Sequence, residues 1–186
     1  MIYLASTSPR RRSLLRREGV RFKTLRPGYE EGGEAKGPPA ALVKKHALGK
    51  AVSVAGRLKN GAVLAADTVV VFGGKIIGKP KSKKDAVRLL GRIQGKWHTV
   101  YTGVAWLEVR GGAVNKKRVF SETTRVRLKP LDRGAVARVF RSVDPMDKAG
   151  AYAIQCREPD IVAEVRGSWT SAAGLPIDAL KRRRLI

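Results

Sequence analysis

Of three residue types on which many protein sites are built, the 186-residue chain holds little: one cysteine, two histidines and 15 acidic residues. The single Cys156 excludes an internal disulfide, and without CxxC spacing or a Cys/His cluster the chain offers no zinc site. That leaves Cys156 a structural reading. Long apolar runs are missing as well, and none approaches the ~18 residues that span a bilayer. Met1-Ile2-Tyr3-Leu4 carries no basic leader before an apolar stretch, so the expected location is the cytoplasm, with no membrane partner. Aromatic residues make up only 6% and show no RNP-like clustering, which argues against a dedicated nucleic-acid module.

Positive charge, by contrast, is abundant: 39 Lys and Arg leave a formal charge of +24. Such a balance gives nonspecific affinity for nucleic acid through counterion release, and it steers anionic small molecules equally well. Sign alone does not choose between them. The bases are spread along the chain, with short runs at Arg10 to Arg12, Lys116 to Arg118 and Lys181 to Arg184, and most read as solvated surface.

No repeat, low-complexity segment or linker divides the chain, so residues 1–186 are expected to form one domain able to bury its own core. Ile2 to Ala5 reads as a buried strand. Ser8-Pro9 then signals a helix start, hydroxyl cap before proline, for a helix reaching about Arg17 and stopped at Gly19. A strand over Val20 to Leu25 precedes a Gly/Pro-rich loop, Arg26 to Pro39, that holds Glu30, Glu31 and Glu34. Ala40 to Leu58 has helical spacing. Ala62 to Phe72 is a strand run interrupted by Asp67-Thr68, with Gly73-Gly74 turning it into Lys75 to Ile77. A helix over Lys83 to Gly91 follows, then strands Thr99 to Val109 and Val114 to Leu128 around Gly111-Gly112. Helix Asp132 to Ser142, strand Ile161 to Val165 and helix Pro176 to Arg183 complete an α/β chain with a mixed central sheet and flanking helices.

Asp67 ends the apolar stretch Ala62 to Ala66, where a carboxylate is costly unless solvated, paired or bound to a metal. A structural Asp at a strand bend is the plain alternative. Glu30, Glu31 and Glu34 add hard oxygen ligands, while Arg10, Arg11, Arg12, Lys50, Lys79 and Lys148 add cations. Carboxylates with cations suit a Mg²⁺-triphosphate. The helix start at Ser8 with its arginines offers an anion site at the positive end of a helix dipole, or else only a basic surface turn. Gly73 to Lys79 fits GxxxxGK, but Pro80 follows where a P-loop needs a hydroxyl, so that motif is set aside. Gln155 ends a compact polar set begun at Asp147, and its amide can meet the edge of a pyrimidine base or serve as a buried structural Gln. His46 and His98 have no partner pattern and read as structural or surface residues.

Together these segments resemble the Maf family of nucleotide pyrophosphatases. The likeness rests on "LASTSPRRRSLL" from Leu4, the spacing from Phe22 to Glu31, "ALGKA" around Lys50, "AADTVV" from Ala65, "GKP" from Gly78, "DKAGAYAIQ" from Asp147 and "GSWTSAAGLP" from Gly167. It implies the inosine triphosphate pyrophosphatase-like fold with a cleft between two lobes, a homodimer, and hydrolysis of a nucleoside triphosphate to monophosphate and pyrophosphate with Mg²⁺ or Mn²⁺. By the same resemblance Asp67 activates water and, with Glu31, holds the metal. Arg10, Thr68 and Gln155 match positions that set substrate choice, and Ser8, Arg11, Lys50, Lys79 and Lys148 match the remaining polar pocket positions. Members acting on 7-methylguanosine triphosphate have a small residue and a glutamate where this chain has Lys148 and Gln155, so the chain is similar to the dTTP/UTP branch. Ala153, Ala172, Ala173 and Ser171 depart from common family residues and bear on pocket shape. The competing expectation is a basic nucleic-acid-binding or division-regulating protein with a vestigial pocket.

Overall fold

The apolar run at the start of the chain becomes strand β1 (Ile2–Ala5), and the Pro9 that follows has its φ preset for the first helical position of α1 (Pro9–Arg17). This computed structural model describes residues 1–32, 37–155 and 160–186. Helix α1 closes on Gly19 at φ 68°, with the Gly19 amide on the Arg16 carbonyl and the Val20 amide on the Leu15 carbonyl. That closure takes Val20 out of the next strand, so β2 is Phe22–Leu25 rather than beginning at Val20. Helix α2 (Pro39–Ala55) leads to β3 (Gly61–Phe72).

Both β2 and β3 pair parallel with β1, one on each side of it. The two connecting helices therefore lie on opposite faces of the sheet. Leu14 and Leu15 of α1 pack with Leu4 and Leu64, whereas Ala47, Ala51 and Val54 of α2 pack with Ala5, Val63 and Ala65. Strand pleating explains the division, since successive residues of β1 and β3 face opposite sides. A sheet wound in both directions from one strand leaves a crevice beyond its carboxyl end.

The remaining elements are β4 (Lys75–Ile77), α3 (Lys83–Ile93), β5 (Trp97–Arg110), β6 (Ala113–Leu128), α4 (Arg133–Ser142), β7 (Val162–Arg166), α5 (Trp169–Ala172) and α6 (Ile177–Arg182). Among the described residues they complete a seven-stranded sheet of order β2-β1-β3-β5-β6-β7, with β4 also on β3. Two further expectations shift, and two short elements were not foreseen. Gly91 does not stop α3, because Leu90 and Ile93 both bury on the core side and the chain turns at Gly95 instead, φ 69°. Asp67-Thr68 does not interrupt β3, which pairs residue by residue with β5 from Gly61 to Val71. The short α5 and a 3-10 turn at Ala149–Ala151 had no periodic signal long enough to mark them. No helix among the described residues is long and apolar enough to cross a membrane.

Candidate active site

On its other edge β3 pairs with β1 only at Ala62 to Leu64 and with β4 only from Val70 onward. The five residues from Ala65 to Val69 thus have no neighbouring strand on that side. The gap opens into a cleft of about 610 Å³ lined by the chain after β1, the start of α1, α2, the turn after β4 and the segment from Asp147 to Gln155. Asp67 and Thr68 stand in the middle of the gap and, by the strand's alternation, on opposite faces.

Asp67, only 7% exposed, projects toward α2, where Lys50 is 9% exposed. Lys50 Nζ donates to Asp67 Oδ1 at 2.6 Å and meets Glu31 Oε1 at 2.5 Å. One ammonium thus holds together two carboxylates from distant parts of the chain. Burial works against the Glu31 carboxylate. The hydrogen bond and charge of Lys50, with His46 and Lys79, outweigh it and hold this carboxyl below its ordinary range.

Two glycines set how closely α2 packs, one against the sheet and one against Tyr29. A Cβ on Gly103, the β5 partner of Asp67, would lie 2.3 Å from the Val43 backbone. One on Gly49 would lie 2.2 Å from the Tyr29 ring. Tyr29 in turn bonds its hydroxyl to His46 Nδ1 at 3.0 Å, one helical turn before Lys50. His46 is therefore a buried cleft residue with a partner.

On the opposite face neutral hydroxyls meet one guanidinium. Thr102 Oγ1 donates to the Ser171 carbonyl at 2.8 Å, so the Thr68 hydroxyl, 3.0 Å away, must donate to Thr102. Thr68 Oγ1 then accepts from Arg11 Nη2 at 3.2 Å. Arg11 is further fixed by the Gly174 carbonyl at 2.8 Å and Ser6 Oγ at 3.4 Å. Burial lowers the Arg11 pKa, opposed by the charges of Asp67 and Glu31, while Arg10 beside it lowers it further. Arg10 is lowered by burial as well, against the charge of Asp147. Ser8 precedes the helix as expected but makes no capping bond. Its amide instead donates to Ser6 Oγ at 3.1 Å, and its side chain lines the cleft.

The third wall is the segment after α4. Lys148 is buried, with Nζ bonded to the Asp144 carbonyl at 2.9 Å and paired to the Asp147 carboxylate. Gly150 and Ala151 both have positive φ, 75° and 62°, and for a buried alanine that is strain imposed by its surroundings. Gln155 Oε1 is buried and has no hydrogen-bond partner among the described residues. Tyr152 lines the cleft and bonds His98 Nε2 through its hydroxyl at 2.6 Å. Burial pushes His98 down to about 4 and Tyr152 upward.

The cleft therefore gathers Ser8, Arg10, Arg11, Glu31, Lys50, Asp67, Thr68, Lys79, Lys148 and Gln155 from six separated segments. Lys79 is exposed and forms no ion pair among the described residues. Arg12 and Glu30 do not line the cleft, while Glu34 and Cys156 lie outside the described residues. Sequence reasoning missed Tyr29, His46, Thr102 and Tyr152. Gly49 in the interior of α2 was the available hint of a close approach, but it names no partner.

Known proteins share the fold and much of the sequence. The solved Ham1 protein of Staphylococcus aureus superposes with a TM-score of 0.51 at 16% identity, covering 98% of this chain and 97% of that one. The HAM1 protein of Coxiella burnetii gives 0.53 at 13%, covering 99% and 98%. These share the fold. In sequence, the chain is 42% identical over 179 residues to the dTTP/UTP pyrophosphatase of Gloeobacter violaceus, covering 96% of this chain and 92% of that protein. It is likewise 42% identical to the dTTP/UTP pyrophosphatase of Pelotomaculum thermopropionicum, with the same coverage. For that of Dictyoglomus thermophilum the figure is 40% over 177 residues, 95% of this chain and 90% of that protein. Since a model of the Maf-like proteins also matches residues 1–183, which include every cleft residue named above, the chain belongs to the Maf-like protein family.

Proposed function

We propose that the cleft hydrolyses dTTP and UTP to the nucleoside monophosphate and pyrophosphate. The observation that carries this reading is the convergence of the Glu31 and Asp67 carboxylates on one cationic point, Lys50 Nζ, beside the basic start of α1. Relatives named dTTP/UTP pyrophosphatase at about this identity supply the substrate class. Modified pyrimidine triphosphates fall within the same chemistry.

Mg²⁺ or Mn²⁺ fits the donors, since two hard carboxylates already converge and both ions prefer oxygen. No group of three His, Cys, Asp or Glu clusters among the described residues, so phosphate oxygens and water would complete the shell. Glu31 and Asp67 would hold the ion, which when bound supplies positive charge to the phosphates. Asp67 has Oδ1 on Lys50, and its second oxygen is the group we assign to take the proton from the attacking water. Water adds at the α-phosphorus, the bond from that phosphorus to the bridging oxygen breaks, and pyrophosphate leaves. Arg10, Lys79, Lys148 and the helix start at Ser8 neutralise the phosphate chain. Arg11, already triply bonded, holds the floor of the site and adds charge. Gln155, its carbonyl oxygen unpartnered, pairs with a pyrimidine edge, and Thr68 borders that choice.

Pyrophosphate release from dTTP, UTP, CTP, dGTP and ATP, with Mg²⁺, Mn²⁺ or EDTA, tests this reading. Highest kcat/KM for dTTP and UTP, lost in EDTA, is expected. Purine preference overturns the substrate, and no turnover above buffer overturns the activity. The family resemblance also leads us to propose that residues 1–186 act as one domain, as a homodimer in the cytoplasm, with sedimentation velocity as the check on assembly.

A further inference from the structure

Helix α2 lies against its face of the sheet at the Gly103 row, where the Val43 and Lys44 backbone approaches the strand. Beyond that row the same face continues across β5, β6 and β7. The helices that pack there do so on the other side, where Val100, Val126 and Leu128 join Ile93 and Val139 in the core. This face carries the partly exposed Tyr101 and Trp97 on β5, the exposed Arg125 and Arg127 on β6, and the partly exposed Glu164 beside the exposed Arg166 on β7. Register sets Arg125 opposite Arg166, and Trp97 and Glu164 each opposite Arg127.

Three guanidinium groups gather around one indole: Arg166 at 4.7 Å, Arg125 at 5.0 Å and Arg127 at 5.7 Å from the Trp97 ring. The ring face attracts each of them, but their charges repel one another at this spacing. Glu164, 3.2 Å from Arg127 and 2.8 Å from Arg166, is the carboxylate paired with this cluster. Two positive charges are left in excess, carried by exposed arginines. Charge of this kind calls for an anionic partner. A second copy docked through this same face is disfavoured, because it would set the same uncompensated arginines against these. Trp97 and Tyr101 lie four residues apart on one strand face, about 13 Å at ordinary strand rise. Aromatic rings on an open sheet beside guanidinium planes form a platform on which unpaired bases stack while arginines take the phosphates. A duplex offers no free base faces to such a platform, and an acidic protein would use the charge but not the rings.

We propose that this face of β5, β6 and β7 binds single-stranded nucleic acid, at a site separate from the triphosphate cleft and independent of the cleft's activity. The test measures binding of a fluorescein-labelled 20-nucleotide mixed-sequence DNA by anisotropy at 50 and 200 mM NaCl, with the corresponding duplex as competitor. The variants are Arg125→Gln/Arg166→Gln, Trp97→Leu, and the control Lys116→Gln/Lys117→Gln, which removes equal charge at the far end of the β5–β6 hairpin. The arginine pair should weaken binding tenfold or more and flatten the salt dependence by about 1.4 in log–log slope, at ~0.7 per lost phosphate contact. Trp97→Leu should weaken it about fivefold or more without changing that slope, the low end of one stacked base. The lysine control should change it less than threefold. All variants should keep native circular dichroism, which shows that the fold survives, together with whatever dTTP hydrolysis the parent protein shows. Equal losses in control and arginine pair, duplex competing as well as single strand, or no binding at 50 mM would each overturn the proposal.

Discussion

Asp67 and Thr68 are consecutive on β3, yet the two faces they serve are built from different materials. On the Asp67 side the core is small, with Ala47, Ala51, Ala65 and Ala105, and Gly103 lets α2 approach the sheet closely while Gly49 admits the Tyr29 ring. The groups gathered there are ionic, and one lysine bridges two carboxylates. On the Thr68 side the core is bulky, with Leu4, Leu15, Leu64 and Trp106, and the polar groups are neutral hydroxyls and carbonyls closed on one another around Arg11. A charged cluster stays responsive to an incoming cation or phosphate, whereas the Thr68–Thr102 hydroxyl chain, whose two donors are both satisfied, resists rearrangement. One face is therefore suited to chemistry and the other to holding the cleft's shape.

The largest test of that division is Asp67→Asn, which keeps the shape and removes the proton acceptor. Turnover of dTTP should fall by about 10²–10⁴ while the melting temperature stays near that of the parent, as general-base losses elsewhere indicate. Pyrophosphate release beside a thermal melt measures both, and a variant within tenfold of wild-type turnover takes the base role away from Asp67.

Gly103→Ala attacks the spacing of the ionic face instead. The added methyl collides with helix backbone, which cannot swing aside as a side chain can, so stability should drop by about 1–3 kcal/mol or more. Urea unfolding gives the number. An unchanged midpoint would mean that α2 rests less tightly on the sheet than its geometry states.

Thr102→Val cuts the hydroxyl chain in its buried middle, orphaning the Thr68 donor and the Ser171 carbonyl. A stability loss of about 1–3 kcal/mol is expected, with a smaller kinetic effect than at Asp67. If its turnover falls as far as that of Asp67→Asn, the two faces do not divide the work.

The mildest perturbation is pH. His98 is held neutral down to about 4, below the 6.5 of an exposed imidazole, so the unfolded chain takes up its proton first on acidification. Stability should be insensitive to this group above pH 6.5 and fall by up to about 3 kcal/mol between pH 6.5 and 4. His98→Gln should flatten that slope in urea titrations at a series of pH values, and an unchanged slope assigns the acid sensitivity elsewhere.

How far the molecule was legible from its residues follows from what local chemistry can carry. Ser8-Pro9, Gly19, Gly73-Gly74 and Gly111-Gly112 are backbone instructions, and the elements they bound appear within a residue or two of expectation. Gly91 misled because a glycine facing open space does not end a helix whose next turn buries Ile93. In the cleft, the charged residues were nameable because a carboxylate after five apolar residues needs a reason. The face each occupies was not nameable, since that depends on which helix crosses which side of β1. Tyr29 with His46, and Thr102 with Thr68, are pairs made wholly by long-range packing, and neither member carries a local pattern. The Trp97 platform was hidden for the same reason: three arginines scattered over Arg125 to Arg166 become neighbours only through strand register.

The five-residue gap along β3 has a consequence for how this chain stays separate from its neighbours. An unpaired strand edge invites pairing with another polypeptide, and proteins ordinarily blunt such edges with charge, bulges or covering segments. Here the bare edge is interior to the sheet, bounded at one end by β1 and at the other by β4, and sunk beneath the start of α1 and the turn at Gly78. It is too short and too recessed for an extended chain to enter, yet open to a molecule the size of a nucleotide. Selection by size is thus built into the sheet: a small guest reaches the strand, and a second backbone does not.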